Sequence, residues 1–175
     1  LLNYRTTADC LPHLLDEKNV TMLTSLGVFT VDELKSRRDI MLENYCKSVT
    51  IEANTMVNMV HKRIAPAITS FTADLAKQAT EKKALFPELA CSCETELVQK
   101  LSALTDAIAE KTDELENAIL TLQDAEDIVK ESELVRDAIL PKMTELRIPC
   151  DRAELLTAKS YWPFPTYGDV LFSVK

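Results

Sequence analysis

The sequence predicts an all-α fold: an elongated antiparallel bundle of about three long helices, with short N-terminal helices and an extended aromatic and proline-rich C-terminal strap. Three observations carry this expectation. The chain has 2 Gly in 175 residues, against a usual share of about 7%, which leaves few of the tight turns a sheet protein needs. Apolar side chains recur at helical intervals from Leu34 to Leu75. A second series, Leu101, Ile108, Leu115, Leu122 and Val129, returns at every seventh residue. We read one module, with short helices over 1–29, the long-helix bundle over 30–147, and a short helix with an extended tail over 148–175.

In chain order, Asp9 or Thr7 can cap a short helix over 10–15, with Pro12 in the first turn, where its missing N–H does little harm. Asp16 can start a second helix that runs to Leu26, and Gly27 supplies the left-handed residue that ends many helices. Thr30-Val31-Asp32-Glu33 has capping-box spacing, with Phe29 and Leu34 at the two positions of a hydrophobic staple, so a long helix begins at Val31. Its expected buried face is Leu34, Met41, Tyr45, Val49, Ala53, Met56, Val60, Ile64, Ile68, Phe71 and Leu75. Pro66 removes a ladder bond and predicts a kink near Arg63. A helix over 31–83 would span roughly 80 Å.

Phe86-Pro87 and the following Cys91-Ser92-Cys93 mark a reversal, with Ser92 as the expected cap of the next helix. That helix carries the seven-residue series, with Leu97, Leu104, Ala118 and Ala125 at the complementary heptad position and Lys111 breaking it. A third helix over 126–146 carries Ile128, Val135, Ile139 and Met143; the pattern leaves open whether it continues the second or follows a bend near 124–127. Pro141 predicts a kink, Ile148-Pro149 an end, and Asp151 the cap of a short helix to Ala158. Beyond it, Pro163 and Pro165 push Trp162 and Phe164 towards extended geometry. This strap must bury its rings, and Tyr161, Trp162, Phe164, Tyr167 and Phe172 are its candidate docking residues.

The net charge of −8 and pI near 4.9 make nucleic acid and anionic membranes poor partners, because phosphate binding needs concentrated positive charge. No stretch reaches the ~20 apolar residues of a membrane span, and no basic region followed by an apolar run marks a signal peptide. Five Cys in irregular spacing (Cys10, Cys46, Cys91, Cys93, Cys150) read as thiols of a reducing cytoplasm, with Cys46 a small buried hydrophobe. The start at Leu1 without Met reads as a cut from a longer protein.

Candidate chemistry is sparse. Cys91-x-Cys93 is too closely spaced for a usual zinc pair and has no nearby His. His61 could act as a base if a carboxylate oriented it, but a helix-flank His is the commoner case. Glu110, Asp113, Glu114, Asp124, Glu126 and Asp127 could face a divalent cation, yet apolar seam positions between them favour a solvated helix face. Gly27 and Gly168 lie in no nucleotide-binding pattern. Glu43 and Lys47 have the spacing of a helical ion pair, and Asn44 between them suggests an amide with a partner. We therefore expect no catalytic, cofactor-binding or metal residue here.

Several stretches together resemble a known family: Leu1-Leu2-Asn3-Tyr4-Arg5-Thr6-Thr7, Gly27-Val28-Phe29-Thr30, Ser36-Arg37 with the hexapeptide Leu42 to Lys47, Gln99-Lys100-Leu101-Ser102, and Leu156-Thr157-Ala158-Lys159 with the strap from Tyr161 to Phe172. The likeness runs from Leu1 to Val174 and is to the C-terminal helical region of bacterial type III glutamine synthetases. Lys35 stands where relatives would carry His, and Arg38-Asp39 and Cys91-Ser92-Cys93 also depart from the pattern. The resemblance implies a cytoplasmic, ring-stacked parent enzyme that joins ammonia to glutamate through a phosphorylated intermediate. ATP and a divalent metal (Mg or Mn) would be bound on a catalytic sheet outside this chain, and no position here matches those motifs. The implied partners are the catalytic body of the same polypeptide and neighbouring subunits, giving a noncatalytic structural and oligomerisation module. The competing reading is an independent coiled-coil adaptor, motivated by the heptad series; a small metalloenzyme built on His61 and the acids ranks third.

Overall fold

A computed structural model describes residues 3–172, except the side chains of Asp124 and Tyr167. Leu1, Leu2 and Val174, which the resemblance drew on, lie outside the described residues. The fold is all-α and bundle-like, and no strand occurs among the described residues. No helix among them is long and apolar enough to cross a membrane.

The chain opens with α1 (Thr7–Cys10), a 3-10 turn (Leu11–Leu15) and α2 (Glu17–Ser25). Thr6, rather than Asp9 or Thr7, caps α1: its hydroxyl accepts from the Asp9 N–H at 3.1 Å, and the Asp9 carboxylate accepts from the Thr6 N–H at 3.2 Å. Asp9 is thus the return arm of a capping box one turn earlier than the sequence suggested. After α2, Gly27 has φ of 66°. The Gly27 N–H reaches the Thr24 carbonyl and the Val28 N–H the Leu23 carbonyl, both at 3.0 Å, the paired bonds of a Schellman end.

The long helix α3 (Val31–Met59) starts where the capping box places it, with the Thr30 N–H donating to Glu33 at 2.7 Å and the Glu33 N–H to the Thr30 hydroxyl at 3.2 Å. Leu42 (0% exposed), not Met41 (51%), continues the buried face, because steps of four from Leu34 arrive at 42 and then at Cys46. Lys47 bonds Glu43 at 2.9 Å as expected. Asn44 points to solvent, so its amide gives no cross-segment link.

The strain of Pro66 is taken up before it. A π-turn over Val60–Ile64 separates α3 from α4 (Ala65–Leu85), with the Ala65 N–H bonded to the Val60 carbonyl five residues back. The same device precedes Pro141: α6 (Ile128–Leu134) passes through a π-turn over Val135–Ile139 into α7 (Leu140–Leu156), with the Leu140 N–H on the Val135 carbonyl. Ser92 is the first residue of α5 (Ser92–Thr121) and not its cap. The residue before it, Cys91, takes the left-handed φ of 48° that ends the reversal. A 3-10 turn (Leu122–Asp124) closes α5, and the Asp127 carboxylate caps α6 through the Lys130 N–H at 2.9 Å. The second and third helices are therefore separate, and Val129 belongs to a different element from the rest of its heptad series.

Pro149 does not end α7, and Asp151 caps nothing; the helix continues through both to Leu156. Leu146, Pro149, Cys150 and Ala153 are all buried on its inner side. That burial offsets a mid-helix proline penalty of about 3 kcal/mol.

The chain packs as two compact units, each drawing on distant stretches. The first, 1–55 with 115–143, gathers α1, α2, the first part of α3, the end of α5, and α6. There Arg136 bonds Asp9 at 2.7 Å and Asp137 at 2.6 Å, tying α1 to the second π-turn. Cys46 is fully buried, and desolvation, with the Glu131 carboxylate nearby, pushes its thiol up to about 11.

The second unit, 56–114 with 144–175, is an up-down-up arrangement. Lys82 pairs with Glu94, and the Cys91 thiol lies 3.9 Å from the Ala79 carbonyl, so α4 and α5 run antiparallel from the reversal. Lys111 of α5 reaches Glu145 of α7 at 3.4 Å. Leu101 (0%) and Ile108 (1%) fill the centre. Lys111, which breaks the heptad, sits beside Thr112 (1%), whose hydroxyl is satisfied by the Ile108 carbonyl at 2.7 Å.

Candidate functional site: an apolar groove under the aromatic strap

The strap leaves α7 at Thr157, whose hydroxyl donates to the Ala153 carbonyl at 2.8 Å, and turns back with the Tyr161 and Trp162 N–H groups both on the Ala158 carbonyl. Two prolines then keep 162–166 out of helix. The chain does not stay extended, however. Thr166 caps one more short helix, α8 (Tyr167–Leu171), through a capping box with Asp169. Thr166 and Asp169 sit three apart, the same signature that starts α3, and the prolines just before had masked it.

Within the second unit, the rings of the strap lie along the long-helix face. Tyr161 packs on Phe71 with centroids 5.2 Å apart and donates its hydroxyl to the Asp74 carboxylate. That hydrogen bond holds the Tyr161 phenol above its ordinary pKa. Trp162 meets Phe164 edge-on at 6.2 Å, and the Arg63 guanidinium stands 6.0 Å over the Phe164 ring. Of the five candidate docking residues, Tyr161, Trp162 and Phe164 are thus brought together, and each is part-buried. Phe172 is 84% exposed at the far end of α8. The Tyr167 side chain lies outside the described residues.

Between this strap, the C-terminal turn of α3, the first π-turn and α7 lies a groove of about 840 Å³, a volume typical of binding pockets. Its walls are Met56, Met59, Val60, Ile64, Cys150, Leu155, Trp162, Phe164 and Pro165. Arg147, Asp151, Glu154 and Thr166 supply the polar rim. Arg147 and Asp151 pair with each other at 3.2 Å, and among the described residues the Glu154 carboxylate on the rim has no ion-pair partner. Burial, with Asp151 adjacent, pushes the Cys150 thiol up to about 11, so this sulfur is an apolar wall atom at neutral pH. The Trp162 indole N–H is fully shielded and has no acceptor among the described residues. The arrangement is an apolar cleft with a charged rim.

The wall from α7 is not legible in the sequence, because Ile148-Pro149 predicts an end before Cys150 and Leu155. The π-turn wall carried a signal: Val60 and Ile64 sit four residues apart on the periodic face. The other candidate residues do not converge. His61 is exposed on the π-turn, Cys93 is exposed at the start of α5, and Glu110, Asp113, Glu126 and Asp127 are exposed. Glu114 pairs with Lys111 at 2.7 Å, and Glu126 pairs with Lys130. Among the described residues, no three His, Cys, Asp or Glu side chains gather as a cation site would require.

Residues 1–83 match the glutamine synthetase C-terminal domain family. The whole chain aligns with a glutamine synthetase of Butyrivibrio fibrisolvens at 30% identity over 175 residues, 100% of this chain and 25% of that protein. It also aligns with a type-3 glutamine synthetase of Dictyostelium discoideum, 25% identical over 183 residues, covering 98% of this chain and 24% of that protein. A glutamine synthetase of Bacteroides fragilis (strain YCH46) is 23% identical over 177 residues, 99% of this chain and 24% of that protein. The chain spans about a quarter of the length of these relatives. Its first 83 residues match that domain family and its full length aligns with a type-3 enzyme and its kin, so the chain is similar to the C-terminal region of type-3 glutamine synthetases.

Proposed function

We propose that this chain is a noncatalytic structural and oligomerisation module of a type III glutamine synthetase, whose parent enzyme ligates ammonia to glutamate at the expense of ATP. In this reading ATP and the divalent metal, Mg or Mn, belong to the catalytic body of the same polypeptide, in the cytoplasm. The module's partners are that body and neighbouring subunits. The supporting observation is the character of the groove under the strap: apolar walls and a thiol held protonated. Such a surface suits protein contact rather than turnover. Exposed apolar side chains at Leu85, Phe86, Leu155, Leu171 and Phe172 support the same reading.

The test is to assay the purified 175-residue chain for γ-glutamyl transfer with ATP and Mg or Mn. The expected result is no turnover above a buffer control. Metal- and ATP-dependent product would overturn the noncatalytic assignment.

A further inference from the structure

We propose that Cys91 and Cys93 form a reversible dithiol–disulfide pair, a redox site at the α4–α5 reversal whose oxidation opens the first turn of α5. The chemistry needs only this loop and does not depend on the assembly role above.

Of the five cysteines, these are the two that the sequence places within one helical turn. Cys93 is exposed and Cys91 half-buried, while Cys46 and Cys150 are buried. A step of two residues reaches at most about 7 Å, and helical Ser92 shortens it, so the pair falls within the Cα separation of about 4.4–6.8 Å that a disulfide accepts. One cation lies beside both sulfurs. The Lys82 ammonium, held above its ordinary pKa first by its hydrogen bond to Glu94, is held there also by the charges of Cys91 and Cys93. Solvent-open cysteines beside an ammonium are the ones that exchange with disulfides. The same ammonium would repel a metal cation, and among the described residues no three His, Cys, Asp or Glu side chains gather to hold one.

In the reduced chain the two sulfurs are turned apart. The Cys91 thiol lies 3.9 Å from the Ala79 carbonyl on α4, and side chains two positions apart at a helix start do not face each other. Closing the S–S bond therefore moves backbone in the first turn. Cys91 is where that turn gives way. Its φ of 48° is a left-handed value that costs a residue with a Cβ, while its carbonyl accepts the Thr95 N–H at 3.0 Å and the Thr95 hydroxyl at 2.9 Å. Oxidation gives up those two bonds and the contact with Ala79, and relieves the left-handed residue. A disulfide formed at the expense of native contacts is readily reduced, which makes the step reversible.

A small-molecule disulfide such as oxidised glutathione is the oxidant. The Cys93 thiolate attacks one of its sulfurs, forming a mixed disulfide and releasing one glutathione; Cys91 then attacks the Cys93 sulfur and expels the second. Each leaving thiolate takes up the proton that its attacker lost, and two electrons pass to the oxidant.

Equilibrating the 175-residue chain with mixtures of reduced and oxidised glutathione, followed by acid quench, alkylation and peptide mass mapping, tests the pair. The expected product is a peptide containing Cys91 and Cys93 that is lighter by two hydrogens and closed to alkylation. Cys10, exposed and with no cysteine near it in sequence, should stop at the glutathione adduct, and in Cys91→Ser so should Cys93. In the oxidised chain, protection of the Thr95 amide, taken relative to its intrinsic exchange rate, should fall about tenfold and return on reduction, with that of Ile108 unchanged. Glutathione adducts on both Cys91 and Cys93, or thiols still free at a ratio that loads Cys10, would overturn the pair. A disulfide that leaves Thr95 protection unchanged would overturn the opening of the turn.

Discussion

Pro66 and Pro141 stand in the same relation to two π-turns: each follows by two residues the Ile that closes a turn opened by Val, Val60–Ile64 and Val135–Ile139. Val60 (2%), Ile64 (7%), Val135 (0%) and Ile139 (0%) are all buried. The wide turn places Val and Ile together on the core side and hands over to a fresh helical segment in which Pro sits in the first turn, where its missing N–H is tolerated. Each compact unit contains one such Val-x-x-x-Ile-x-Pro turn.

Pro66→Ala should therefore change stability by no more than about 1 kcal/mol, against the ~3 kcal/mol gain expected if Pro66 were straining a regular helix interior. Urea unfolding of the two chains measures the difference. A gain near the larger figure would mean that the π-turn does not absorb the proline.

Ile108→Asp, at 1% exposure in the middle of α5, should cost about 3–5 kcal/mol by burying an unpaired charge. Ile51→Asp, at 66% exposure, should stay within about 0.5 kcal/mol. Equal effects in thermal or denaturant unfolding would contradict the packing.

Trp162→Ala should destabilise the isolated chain, by about 1–3 kcal/mol, because Trp162 packs on Phe164 within the second unit. Thermal unfolding of the chain alone gives the answer. An effect confined to the intact parent enzyme would place the burial of this ring outside the chain.

The tail carries its own acid sensitivity. Lys159, 2.5 Å away, followed by the Thr166 N–H and hydroxyl, holds the Asp169 carboxyl at about 2, below its ordinary 3.8. A lowered folded-state value means the unfolded tail takes up its proton first. The contribution is therefore complete above the ordinary value and is lost as pH falls through the folded one. Amide protection in α8, taken relative to the intrinsic exchange rate at each pH, should fall between about pH 4 and pH 2, and Asp169→Asn should remove that pH dependence. A flat profile in the unsubstituted chain would count against the cap.

Thiol labelling separates the cysteines by place. Cys10 and Cys93, both exposed, should react with a disulfide reagent in the native chain at pH 8. Cys46 and Cys150, buried with thiols pushed up to about 11, should react only as the chain unfolds. Rapid native labelling of all positions would show that the two cores are open.

Helices α3 to α5 were legible because their signals are local: the Thr30–Glu33 box, Gly27 at a left-handed position, and apolar faces with helical periodicity. The errors cluster where a tertiary term outweighs a local rule. Ile148-Pro149 has the pattern of a stop, but Pro149 and three buried neighbours, Leu146, Cys150 and Ala153, carry the helix through. Met41 and Leu42 are equally apolar, and only the register from Leu34 separates them. The groove was the least legible feature, because its walls come from 56–64 and 147–166, a pairing that no local pattern encodes. The strap rings identified one wall; the opposite wall depended on α7 continuing past its proline.

Sedimentation velocity of the parent enzyme, with and without the region equivalent to this chain, tests most directly whether the module assembles rather than catalyses. The account predicts loss of the assembled species while the remaining body still binds ATP. Unchanged assembly with abolished ATP binding would contradict it.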